Sequence, residues 1–365
     1  MTKINYLRNR MKDEYESRKL EDAAIIGHTL IDEQEATQHF GKAFSDDLFN
    51  LALVYDELSQ LDIALEFYAK SAHYLPNDDA LAVAMRASSM AGVLARMGSR
   101  QVAAHFYSRA RSIYSNVVGE SHPSYADTLY NLGNLHALSN QRIPALRAHK
   151  KALKIREEAG TPEDILHSLH SIAFLFEDKG DKSQAANYAE AAVLHAKRHG
   201  TDADYSSACN YYAQILESTN QHEKALEMYA CVLEKIAAMG CTRDTYADCL
   251  KNMAKINQHI GDTAHAEKCM VKALKAREFK SKERINDICF LIQLYLQDDT
   301  YDKAVRMLVY ALAGIDEAGE SADTAIDALL DALATAGDKT RLMEMIDQTR
   351  DLEKIREALD GVEGF

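Results

Sequence analysis

Asn50, Asn131 and Asn252 are the residues whose type and spacing most clearly invite chemistry in this chain of 365 residues. A carboxamide offers a donor and an acceptor together. It can therefore bond the N–H and C=O of an extended peptide backbone while ignoring its side chains. Asparagine is also a poor mid-helix residue, and all three stand where the surrounding pattern is helical, so their recurrence calls for a reason. Other constellations say less. His167 and His170, in HSLH, could share a helix face as metal ligands do, but no third ligand is identifiable nearby. Cys209, Cys231, Cys241, Cys249, Cys269 and Cys289 lie in one stretch with no Cys-x-x-Cys pair. Reduced thiols used as small apolar residues are the better reading of them. The chain has no Gly-rich phosphate loop, nucleophile elbow or His-Glu-x-x-His motif. No catalytic centre, metal site or cofactor is expected.

The elements that position these residues follow from a period. An alanine returns every 38 to 42 residues, at Ala23, Ala64, Ala103, Ala145, Ala185, Ala225, Ala266 and Ala304, which is the mark of a stacked-repeat solenoid. Around each one, as in DIALEFYAKSA, QVAAHFYSRA and EKALEMYACVL, apolar or small residues recur at offsets of three and four, the helical period. Twelve residues upstream stands a second small residue in almost every unit: Ala52, Ala91, Gly133, Ala173, Ala213 and Ala254, with Ile292 the exception. Each unit reads as a helix hairpin whose backbones approach closely along a small-residue seam. The four prolines, Pro76, Pro123, Pro144 and Pro162, fall at expected helix boundaries, where a missing N–H is tolerated.

This pattern resembles the tetratricopeptide repeat. The best matches are Leu51, Ala52, Tyr55, Ala64 and Tyr68 with Pro76, and Leu132, Gly133, Ala145 and Ala152. The stretch from Gly119 to Gly160, with its Gly-x-x-His-Pro junction, is similar to the kinesin-light-chain type of repeat. The resemblance implies an all-α fold, a right-handed α-solenoid of helix hairpins with about 40 residues per repeat. We expect one array over the chain: a capping helix at 1–20, tandem repeats at 21–322, and a degenerate repeat with a second capping helix at 323–365.

On each first helix, the residues six and two before the seam and one and five after it form one stripe. The resemblance implies that this stripe lines a concave groove. It reads Asp46, Asn50, Leu53, Glu57; then Met85, Ser89, Gly92, Arg96; then Asp127, Asn131, Asn134, Leu138; later units contribute Tyr211, Gln214, Asn252, Lys255 and Gln293. Peptide-binding members of the family use a groove asparagine to hold a backbone. The candidate binding residues are accordingly Asn50, Arg96, Asn131, Asn134, Asn210, Gln214, Asn252, Lys255 and Gln293. The competing reading makes the asparagines framework residues that bond neighbouring helices.

Net charge is −14, with acidic excess in residues 21–80 and 315–365 and basic excess in 81–160. The basic stretch, which includes Arg86, Arg96, Arg100, Arg109, Arg111, Arg142, Arg147, Lys150, Lys151, Lys154 and Arg156, could meet phosphates or an acidic peptide. A solvated outer face on the second helices is the plainer account. No run of apolar residues suits a membrane span or a secretory signal, so a cytoplasmic location is expected. The sequence thus points to a non-catalytic scaffold that holds a protein or peptide partner in its groove. The alternatives are a self-assembling structural protein, which would be a homo-oligomer, and a nucleic-acid binder, which the overall charge opposes.

Overall fold

Small residues at a fixed period can only be used where helices touch, and the structure puts every one of them there. A computed structural model describes residues 3–76, 78–239, 243–277, 282–298, 300, 303, 304 and 307. All eight period alanines are fully buried, as are the seam residues Ala52, Ala91, Ala173, Ala213, Ala254 and Ile292. The expected degenerate repeat and cap at 323–365 lie outside the described residues, as does Cys241.

Two compact units, residues 1–192 and 193–365, divide the chain within its tenth helix. The first unit contains α1 (Lys3–Glu16), α2 (Leu20–Ala36), α3 (Lys42–Glu57), α4 (Leu61–His73), α5 (Ala80–Arg96), α6 (Arg100–Val117), α7 (Pro123–Leu138), α8 (Arg142–Ala159), α9 (Pro162–Asp178) and the start of α10 (Lys182–His199). From α1 to α9 each helix packs on the next, and α7 also touches α5 and α9, the first helices of the neighbouring hairpins. The second unit holds α11 (Asp202–Ser218), α12 (His222–Met239), α13 (Arg243–His259), α14 (Thr263–Ala276) and α15 (Lys282–Gln297), again packed in sequence order from α11 onward. All fifteen are α-helices, no strand occurs among the described residues, and the architecture is an α-solenoid of helix hairpins.

One residue turns the chain inside each hairpin. Arg18, Ser59, Gly98, Asn140, Gly180, Asn220 and Gly261 all have positive φ, and each stands five residues before a period alanine. The following residue reaches back to close the first helix, as in Gln60 N–H to Tyr55 O at 2.9 Å and Asp181 N–H to Phe176 O at 2.9 Å. This is the left-handed C-terminal cap that satisfies orphan carbonyls at a helix end.

Between hairpins, helix starts are capped by side chains. Thr161 and Thr201 form reciprocal capping boxes with Asp164 and Asp204. In the His-Pro junction, Pro123 opens α7 and the His122 imidazole accepts from Ser124 N–H at 3.2 Å, which gives that dipeptide a local reason.

The helix at the start of the chain forms a hairpin of its own with α2. Met11 takes the seam position and is 3% exposed. Arg8 grips Asp47 of α3 with two bonds, at 2.6 and 2.7 Å, and Gln34 of α2 donates to the same carboxylate at 3.0 Å. Burying Asp47 is tolerable because both its oxygens are bonded.

Candidate functional site

The stripe on the first helices of the first unit borders a real concavity. A cleft of about 680 Å³ crosses α3, α5 and α7. Seven of the residues that line it, Glu57, Ser89, Gly92, Arg96, Asn131, Asn134 and Leu138, are stripe positions read from the period. Of the candidate binding residues it brings together Arg96, Asn131 and Asn134. Asn50 is exposed on α3 and does not line it.

The lining divides by chemistry. Asn131 and Asn134 are half-buried, and neither carboxamide has a hydrogen-bond partner among the described residues. Tyr107 rises from α6 beneath α5 and is only 4% exposed. Its hydroxyl reaches the cleft beside Gly92, and burial pushes its pKa up to about 12, so it enters any contact as a protonated hydroxyl. Leu135 and Leu138 supply an apolar wall, with Leu138 57% exposed. At the other side Arg96 pairs with Asp56, and Glu57 accepts from the Tyr15 hydroxyl and from Arg18 at 2.5 Å.

The acidic residues six before the seam are held rather than free. Asp46 bonds Arg86 at 2.7 Å, Asp127 bonds Arg156 at 2.8 Å, and Asp248 bonds Arg277. Each arginine is almost fully buried. Each is also tied between repeats: Arg86 to Ser45 and Ser71, Arg156 to Ser168, and Arg277 to Asp287. The Arg156 guanidinium lies 4.4 Å from the Tyr130 ring centre and that of Arg86 lies 5.1 Å from Phe49, contacts that suit a weakly hydrated planar cation. Sequence reasoning missed these ties and placed Arg86 and Arg156 with the solvated cations. The usable signal was positional, since Arg156 and Arg277 both stand eleven residues after a period alanine.

The asparagines do not behave alike. Asn252, half-buried on α13, lies against the buried Tyr229 hydroxyl of α12 and partly offsets the rise that burial imposes on that phenol. Ser171, at the same repeat position on α9, donates to the Tyr130 hydroxyl at 3.2 Å. Asn252 and Ser171 thus stand beside hydroxyls of other helices, as the framework reading expects, while the Asn131 carboxamide has no hydrogen-bond partner among the described residues. Asn210 is half-buried on α11; Gln214, Lys255 and Gln293 are exposed on α11, α13 and α15.

The remaining candidates gather no chemistry. No group of three or more potential metal ligands occurs among the described residues. Burial pushes the thiols of Cys209 and Cys249 up to about 11 and about 12, which keeps them protonated and poorly nucleophilic. No described helix is long and apolar enough to cross a membrane.

Comparison with known proteins bears on the fold. Residues 81–158, which span α5 to α8, match the tetratricopeptide repeat family. Among solved structures, the fold is similar to that of BtubC (BKLC) from P. vanneervenii, at 18% identity and a TM-score of 0.50, covering 60% of this chain and 89% of that one. It is also similar to a signal transduction ATPase with numerous domains that carries a tetratricopeptide repeat sensor, from Pyrococcus horikoshii. There the identity is 15% and the TM-score 0.62, over 80% of this chain and 44% of that one. A putative kinesin light chain repeat protein from Podosopora anserina aligns at 15% identity and a TM-score of 0.47, over 55% and 96%. No curated protein sequence matches significantly.

Proposed function

We propose that this tetratricopeptide-repeat protein is a non-catalytic scaffold that holds an extended segment of a partner protein across α3, α5 and α7. Tetratricopeptide repeats are in general a protein-interaction fold, and the partner here is read from the cleft. The observation that carries the proposal is the pair of half-buried, unbonded carboxamides, Asn131 and Asn134, in an open cleft of about 680 Å³. Polar groups in such a place normally find partners. A peptide backbone supplies alternating N–H and C=O groups at a reach that two amides three residues apart on one helix can meet.

The test separates holding from folding. Displayed random peptides are selected on the immobilised protein, and the best binders are titrated against wild type and Asn131→Ala. Losing one bond to a peptide group in a partly dry cleft costs ~1–3 kcal/mol, roughly a tenfold to hundredfold loss of affinity. Tm should hold or rise slightly, because alanine is the better helix former. A variant with lower Tm and intact affinity would assign Asn131 to the framework instead.

A further inference from the structure

We infer that the cleft receives a basic side chain, arginine or lysine, from the partner segment, an inference that rests on the groove reading above. Its opening is made by a missing side chain. One residue after the seam, the other described first helices carry Lys12, Leu53, Asn134, Phe174, Gln214, Lys255 and Gln293; of the described first helices only α5 carries glycine, Gly92. A Cβ placed on Gly92 would meet the Tyr107 hydroxyl at 3.4 Å and nothing else within 4 Å. The glycine therefore leaves a hole whose floor is a nearly buried hydroxyl with no partner among the described residues.

What the hole can satisfy is set by its acceptors. The Tyr107 oxygen, the amide oxygens of Asn131 and Asn134, and the carboxylates of Asp56 and Glu57 all line the cleft. An arginine brings five N–H donors and no acceptor, and a lysine three. Leu135 and Leu138 offer an apolar wall on which the methylene stem of either can lie while its charged head stays polar-facing. The charge of the lining points the same way. Its one cation, Arg96, is spent on Asp56. That leaves Glu57, whose bonded guanidinium comes from Arg18, a side chain 78% exposed. Water and salt already compete for so exposed a pair, and an incoming base can share or take its place. An acidic side chain would meet Glu57 with no unpaired cation to receive it. The lining itself holds two carboxylates, Asp56 and Glu57, against the single guanidinium of Arg96, a local excess that attracts a basic side chain.

The test uses short labelled peptides with an Ala/Ser/Gly backbone that differ only in the central residue: Arg, Lys, Gln or Glu. Fluorescence anisotropy at low ionic strength reads their affinities for wild type, Gly92→Leu, Tyr107→Phe and Glu57→Gln. Arg and Lys peptides should bind at least about tenfold tighter than Gln, a difference near 1.4 kcal/mol, with Glu weakest and the preference shrinking as salt rises. Gly92→Leu fills the hole and should remove that preference with Tm unchanged or raised, since leucine is the better helix former. Tyr107→Phe keeps the packing and should weaken the Arg peptide several-fold, and Glu57→Gln should narrow the gap between Arg and Gln. Gln or Glu peptides that bind as well as Arg and are lost in Gly92→Leu would overturn the basic preference and leave the groove reading standing. Equal affinity for all four peptides in wild type and in Gly92→Leu would overturn the basic preference, and the Asn131→Ala titration would then decide the groove reading separately. Self-association abolished by Gly92→Leu, seen by sedimentation, would make a second copy the occupant and overturn the inference.

Discussion

Gly133 and His149 explain each other. A Cβ at position 133 would come within 2.7 to 2.9 Å of three atoms of the His149 ring, closer than a buried ring can yield. His149 is 1% exposed and stands edge-on to Tyr130, with ring centres 5.0 Å apart. Burial lowers its pKa to about 4, so it packs as a neutral ring. In the next hairpin the same two positions hold Ala173 and Ala189, both fully buried. Gly133→Ala should therefore overpack α7 against α8 and cost ~1–3 kcal/mol, while Gly133→Ala with His149→Ala should recover much of that loss by copying the neighbour. Denaturant unfolding of the four proteins in this cycle gives the coupling; strictly additive changes would show that the two residues do not share one space. The small residue at 133 was legible from the period, but its partner was not. The equivalent position carries Tyr68, Tyr107, Ala189, Tyr229 or Met270 in other repeats, so no pattern announces a histidine there. Arg86 and Arg156 were misread for a related reason. Their charge marked them as surface residues, and only the fold reveals the serines, carbonyl oxygens and aspartates that make their burial affordable.

At the scale of the element, the hairpin turn is a conserved geometry without a conserved residue. The left-handed position is filled by Arg18, Ser59, Gly98, Asn140, Gly180, Asn220 and Gly261, with φ between 56° and 83° at all of them. For a residue with a Cβ this conformation costs roughly 1–2 kcal/mol, while glycine adopts it freely. Gly180→Ala should therefore lower stability by about 1 kcal/mol, although nothing lies within 4 Å of the added Cβ. Ser59→Gly should be neutral or stabilising, because relief of strain is set against the greater freedom of an unfolded glycine. Chemical denaturation checks both, and equal effects of opposite expectation, with Ser59→Gly the more damaging, would show that the turn is held by side-chain contacts instead. Helices and hairpins were legible here because each alanine must fit a close approach and can be little else. The turn was not, since several residue types reach the same φ and no single letter recurs. The stripe lay between these cases. Its positions followed from the helical period, yet Gly92 could be recognised as an opening only once Tyr107 was seen beneath it.

Charge belongs to the scale of the whole molecule, and its distribution weighs against nucleic acid as the partner. The basic stretch at 81–160 looked like one patch in the sequence, but the structure spends it in several ways. Arg86 and Arg156 are buried, Arg96 pairs with Asp56, Arg142 pairs with Asp178, and Lys151 pairs with Glu120 at 2.8 Å. The Lys150 ammonium lies over the rings of Phe176 and Tyr188, at 4.9 and 5.6 Å. Arg100, Arg109, Arg111, Arg147 and Lys154 remain exposed on α6 and α8, the second helices of their hairpins, away from the cleft. Nucleic-acid affinity grows with the number of phosphates neutralised, and each contact adds to its loss with salt. A handful of cations on a chain of net charge −14 is too few to hold a polyanion against the field of the rest. We predict no saturable binding of single-stranded RNA or duplex DNA at physiological salt, with any weak binding at low salt vanishing steeply as salt is raised. Anisotropy titrations across a salt series measure this directly. A tight complex that survives physiological salt and is lost when Arg100, Arg109 and Arg111 are replaced by glutamate would move the working surface from the first helices to the second.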